Sequence, residues 1–203
     1  MDTQLFVQMS LYFLALVNPA SKVFLLSSVK PPYPRKVLID ISARATFTAF
    51  LILVALSTVG QFLLKMVFQV DIYSLEIAGG IVLFIVGLTA VRKGSVYDLD
   101  LHGNSTDIAI VPLGAPLIAG PGTMAAAISL ASKHGAFIIT LSLTVALLAN
   151  FCIMLLSSWL GEVLDRAHVL GPLIRITGLI VAAVAVQMVL TGVSEWLSPI
   201  LTH

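Results

Sequence analysis

Six long apolar runs, a scarcity of charge and a pair of matching helix-breaking stretches predict an all-α integral membrane protein. The expected architecture is six transmembrane helices in a 3+3 inverted-topology repeat, with helices 1 and 4 broken near the midplane. Hydrophobic residues make up 59% of the 203 and charged residues 10%, where soluble chains average roughly 45–50% and about 25%. The apolar runs fall at 5–29, 37–64, 72–91, 109–131, 135–160 and 172–195. Each has about the 20 residues needed to cross a hydrocarbon layer roughly 30 Å thick. None alternates like a barrel strand, and an open sheet edge is not tolerated in lipid, so the runs are read as helices.

The whole of 1–203 reads as one transmembrane domain. A first three-helix repeat covers 1–92, a polar linker 93–107, and a second, inverted repeat 108–197. The first run begins Met1-Asp2 without Lys or Arg and without a small-residue cleavage site, so it is read as a retained span. Counting Lys and Arg in the short loops places Lys30, Arg35, Lys36, Arg92, Lys93 and Arg166 on one side, against Lys65 and Lys133 on the other. The positive-inside rule makes the first side cytoplasmic and puts both termini outside an inner membrane.

Span three contains Glu76-Ile-Ala-Gly-Gly-Ile81 and span six Arg175-Ile-Thr-Gly-Leu-Ile180, 99 residues apart. Span one contains Val17-Asn18-Pro19-Ala20-Ser21 and span four Ala119-Gly120-Pro121-Gly122-Thr123, 102 residues apart. Two matches at nearly one offset suggest duplication, and an odd number of spans per copy forces the second copy to enter from the opposite side. Paired inverted halves are a design of secondary transporters, because the halves can exchange conformations.

Proline lacks an N–H and disfavours helical geometry in the residue before it, so Asn18-Pro19 should break span one. Pro112, Gly114, Pro116, Gly120, Pro121 and Gly122 crowd span four too densely for a continuous helix. Backbone exposed at that depth must line a cavity or be buried in protein. Freed N–H groups near Ala20, Ser21, Gly122 and Thr123, with two hydroxyls, would attract a carboxylate. Freed carbonyls at Val17, Asn18, Ala119 and Gly120 would accept an ammonium group or a cation. The expected partners are therefore the lipid bilayer and a small zwitterionic substrate, held by Asn18, Pro19, Ala20, Ser21, Gly120, Pro121, Gly122 and Thr123. The competing explanation is that Pro and Gly are simply commoner in membrane helices, with kinks satisfied by neighbouring helices.

The stretches NPAS (from Asn18), VPLGAPLIAGPGTM (Val111 to Met124), LEIAGGIVLFIVGL and RITGLIVAAVAVQMVLTG resemble the MarC family, also described as the NAAT family of neutral amino-acid transporter-like membrane proteins. The likeness covers essentially the whole chain. It implies a six-span inner-membrane protein, with some relatives assigned to transport of small neutral amino acids such as glycine and alanine. By position, Asn18-Pro19 and Gly120-Pro121-Gly122-Thr123 match the family's two hallmark stretches. Ala20-Ser21-Lys22 departs from the expected glycine and further proline, and Lys22 would narrow or charge that region.

Other polar residues form a second tier. Arg44, inside span two, is expected to snorkel or to pair with Asp40 at i, i+4. Asn150 and Gln187 are expected to hydrogen-bond between helices, with substrate contact as the alternative. Glu76 and Arg175 occupy equivalent repeat positions on opposite faces and read as interfacial anchors, Glu76 also being a candidate for proton coupling. Gly79, Gly80 and Gly87, with Ala182, Ala183 and Ala185, offer small surfaces for close packing.

Net charge is +1, which excludes a basic nucleic-acid surface. Cys152 stands alone and the four histidines are scattered, so no metal or cofactor is expected. A coupling ion, sodium or a proton, stays open, and no enzyme motif is present. The sequence thus predicts a secondary transporter of a small neutral amino acid. A passive channel, or a non-transporting membrane assembly subunit, is the competing reading.

Overall fold

The computed structural model describes residues 3–27, 29, 33–94, 118–167 and 169–201. Among them the chain is helical throughout: α1 (Thr3–Val17), α2 (Pro19–Ser27), α3 (Arg35–Phe62), α4 (Ile72–Lys93), α5 (Pro121–His134), α6 (Ala136–Leu155), α7 (Ser157–Arg166) and α8 (Leu170–Leu201). A π-helical stretch, Leu63–Phe68, extends α3 and ends at Gln69, whose φ of 52° is left-handed. Residues 95–117, which hold most of the linker and Pro112, Gly114 and Pro116, lie outside the described residues.

Among the described residues, five helical segments are long and apolar enough to cross a membrane: Thr3–Ser27, Arg35–Phe68, Ile72–Lys93, Ala136–Leu155 and Leu170–Ser198. This departs from the expected six. Residues 109–117 of the fourth predicted run lie outside the described residues; what is described of it is α5, whose 14 residues rise about 21 Å, against the roughly 30 Å of the hydrocarbon layer. Its limits are chemical. Gly120 is extended (φ −71°, ψ 166°) and Pro121 begins the helix where its missing N–H costs nothing. Gly135, at φ 92°, ends it and turns the chain straight into α6.

The outer faces are apolar, as lipid requires: Phe47, Leu51, Ile85, Ile176, Leu179 and Leu190 are all exposed. Inside, α6 packs on α1, α3 and α5, while α4 and α8 form the most extensive helix pair. That pair closes on small residues, since a Cβ at Gly87 would stand 2.7 Å from the Ala182 backbone N and one at Gly80 would stand 2.8 Å from the Ala185 carbonyl. Gly79 faces Ala125 of α5 instead, and Ala183 points outward. Packing between small residues brings the backbones together where lipid offers no hydrophobic drive for association. A cross-helix bond, Ser57 to Thr140 at 3.2 Å, joins α3 to α6.

Candidate functional site

The break in the first span is a single residue. Asn18 takes a left-handed conformation, φ 52°, which Asn tolerates better than most residues. Its N–H closes α1 on the carbonyls of Leu14 and Ala15, both at 3.1 Å. Its own carbonyl opens α2, accepting the Ser21 N–H at 3.2 Å and the Ser21 hydroxyl at 2.7 Å. Pro19 follows as the first residue of α2, the position where a proline costs no hydrogen bond. The sequence Asn-Pro-x-Ser thus ends one helix and begins the next within one residue.

These bonds revise the expected acceptors. The Asn18 carbonyl is taken by Ser21, and the Val17 carbonyl accepts the ammonium of Lys22. The Gly120 carbonyl likewise receives the Met124 N–H at 2.9 Å. The acceptor left over at the first break is a side chain: Asn18 Oδ1 is buried without a hydrogen-bond partner among the described residues. On the donor side the Ser21 N–H is used, so the first-turn N–H groups of Ala20, Gly122 and Thr123 are those that geometry leaves without an intrahelical acceptor.

Of the residues predicted to form the site, Asn18, Ser21, Gly122 and Thr123 are buried, Pro19, Ala20 and Gly120 are half-buried, and Pro121 is exposed. Helix α1 packs on α5, and Val17 and Ala119, which adjoin the two breaks, belong to the same buried cluster. Gly122 lies against α4, where a Cβ would come within 2.8 Å of Leu83.

The second-tier residues divide. Arg44 is 57% exposed and pairs with Asp40 at 2.9 Å, as its i, i+4 spacing suggests. Asn150 is fully buried on α6, but its Nδ2 donates within its own helix to Met154 Sδ at 3.2 Å, and Oδ1 has no partner. Gln187 points outward from α8 and reaches only Thr191 of the same helix, at 3.4 Å. Neither amide makes the interhelical bond expected of it: the nearest hydrogen-bonding side chain of each lies one turn along its own helix. Between α3 and α6 lies a cavity of about 630 Å³ whose walls include Phe47, Phe50, Leu147 and Phe151, with Arg44 at its edge among the lining residues. It is an apolar, lipid-type groove, with neither break among its walls.

Sequence reasoning missed a second polar centre. Lys133 of α5 pairs with Glu76 of α4 and with Glu195 of α8, each at 2.6 Å, and Ser129 donates to the same Glu76 oxygen. Glu76 is therefore no interfacial anchor; it is buried, and ties three helices together. The signal available was the i, i+4 spacing of Ser129 and Lys133 on one face of α5. Arg175 lies by the opposite end of α4, its Nε 3.6 Å from where a Cβ on Gly94 would stand. The two residues are not partners, as the inversion argument requires.

Lys22, which departs from the family pattern in the sequence, is buried. It is 2% exposed, among the most buried polar residues described.

Comparison with known proteins agrees with this helical membrane architecture. A sequence model described as "MarC family integral membrane protein" matches residues 3–197. A "UPF0056 membrane protein" of Pyrococcus horikoshii is 30% identical over 90% of each chain. One of Methanocaldococcus jannaschii is 31% identical over 95% of this chain and 98% of its own, and one of Bacillus subtilis is 29% identical over 93% of both. No solved structure matches. Membrane helices carrying the two hallmark stretches, and a family match that runs through nearly every helix described, lead to one assignment: this chain belongs to the MarC family of integral membrane proteins.

Proposed function

We propose that this chain is a secondary transporter of a small neutral amino acid of the glycine and alanine class, a carrier and not an enzyme. It works by alternating access between two inverted three-span halves in an inner membrane, with both termini on the outer side. The single observation that carries the reading is Asn18, left-handed between two helices inside a membrane span, with a buried oxygen that no group among the described residues satisfies. Broken helices with unspent polar groups at membrane depth are how secondary transporters hold small solutes. In this reading the substrate carboxylate meets the helix-start N–H groups of Ala20, Gly122 and Thr123, and its ammonium meets Asn18 Oδ1. So few side chains contribute that discrimination is by size.

The repeat draws support from the packing. Helix α1 lies on α6 as α5 lies on α3, α4 lies on α8, and α3 lies on α6. If the first three spans are matched to the last three, each of these contacts has its mate or is its own mate. The half-span α5 then stands as the second copy's counterpart of α2, each a short helix starting at a proline.

The test is counterflow of labelled glycine, alanine and serine in proteoliposomes, for the native chain and for Asn18→Gly, which removes the side-chain oxygen. Exchange of label against a gradient is expected, with uptake falling at least about tenfold in the variant, equivalent to losing about one good hydrogen bond. Dissipation of the gradient without exchange would indicate a pore, and no flux of any of the three solutes would refute the assignment.

A further inference from the structure

Lys22 lies in the interior without a carboxylate partner among the described residues. Its side chain is 2% exposed and its ammonium reaches back across the break to the Val17 carbonyl. Helix α2, which carries it, packs on α6, α7 and α8. Helix α6 contains no Asp or Glu. On α7, Glu162 pairs with Arg166 at the surface and Asp165 is exposed. On α8, Glu195 is held by Lys133. No carboxylate among the described residues pairs with the buried ammonium.

A buried cation held by one neutral carbonyl is strongly disfavoured relative to a paired one. The same place holds a second unmet group, the Asn18 side-chain oxygen, on the residue that follows Val17. A coupling cation is disfavoured there, because it would be placed beside a positive charge in a medium of low dielectric. A carboxylate is favoured on three counts: it neutralises Lys22, it complements the N-terminus of α2, and a hydroxyl, amide or ammonium elsewhere on the same solute can donate to Asn18 Oδ1.

We propose that Lys22 is the binding-site counter-ion for a carboxylate of the transported solute. This deepens the transporter reading and rests on its placing the solute at the Asn18 break, but it commits to the carboxylate and not to the amino group. A plain monocarboxylate leaves the occupied site neutral, whereas an amino acid leaves it with one positive charge, and the experiment separates the two sources.

The measurement is binding to the purified chain in detergent, by calorimetry or ligand-induced thermal shift, of four probes: glycine, propionate, glycinamide and propionamide. Both acids, or one of them, are expected to bind at least about tenfold more tightly than the matching amide, and Lys22→Gln is expected to collapse that ratio towards one. A purely structural Lys22 would leave the acid-to-amide ratio unchanged. If the variant does not fold, the comparison on the native chain decides: an amide that binds as well as its acid, or no binding of either acid, overturns the proposal. Propionate binding that depends on Lys22, without glycine binding, upholds the counter-ion and refutes the amino-acid reading. Glycine exchange that Lys22→Gln leaves intact does the reverse.

Discussion

Asn18 does two separable jobs, and substitution can divide them. Its backbone adopts φ 52°, which costs most L residues roughly 1–2 kcal/mol but glycine almost nothing. Its side chain holds the unmet oxygen. Asn18→Gly should therefore keep the break and a melting temperature within a few degrees of the parent, yet bind solute at least about tenfold more weakly. Asn18→Ala should lose both, with stability lower by about 1 kcal/mol. Thermal unfolding in detergent, run beside the binding assay, distinguishes them. Retained binding in Asn18→Gly would show that the oxygen takes no part. The break itself was readable from sequence because it is local: an asparagine, a proline and a serine within four residues settle it. The burial of Lys22 was not, since a lysine side chain near a helix end can equally well snorkel to water. Nor could the spacing show that Ser21 and Lys22 would claim the very carbonyls expected to greet the solute.

At the level of elements, the ties that hold α5 in place belong to the part of the structure the sequence concealed. Glu76 and Lys133 are 57 residues apart in the chain, and nothing in either segment names the other. Their ion pair is asymmetric in its environment. Removing Glu76 leaves Lys133 with Glu195 at 2.6 Å, whereas removing Lys133 leaves Glu76, with 7% of its side chain exposed, charged and held only by Ser129. An unpaired buried charge costs about 3–5 kcal/mol. Lys133→Met is accordingly expected to lower the melting temperature by on the order of 10 °C, and Glu76→Gln by much less. Equal losses in differential scanning of the two proteins would contradict this account. The limits of α5 were half legible: Gly120, Pro121 and Gly122 announce its start, but nothing in the sequence singles out Gly135, whose positive φ ends it.

For the molecule as a whole, composition and run length were enough to give an all-helical membrane protein, and among the described residues five of the six apolar runs are spanning segments. Hydropathy reads span positions well because the solvent is uniform along each helix; it says little about which face meets protein. That is why Asn150 and Gln187, similar on paper, separate into one residue with no exposed surface and one that faces outward. The α4–α8 seam shows where global stability is concentrated. A Cβ at Gly87 would lie 2.7 Å from backbone, so Gly87→Val must force the two helices apart and should cost about 1–3 kcal/mol. Gly171→Ala, with nothing within 4 Å of its added carbon, is the matched control. Comparing their unfolding midpoints checks the claim, and similar midpoints would mean the seam yields easily.

Helix α3 and its π-helical extension run unbroken from Arg35 to Phe68, 34 residues, or about 51 Å of rise. That rod is far longer than a hydrocarbon slab of roughly 30 Å, so it must lean steeply or carry its far end into the headgroups. Either way the bundle has a preferred bilayer thickness, and a host membrane with shorter or longer acyl chains would strain the molecule through this one oversized strut.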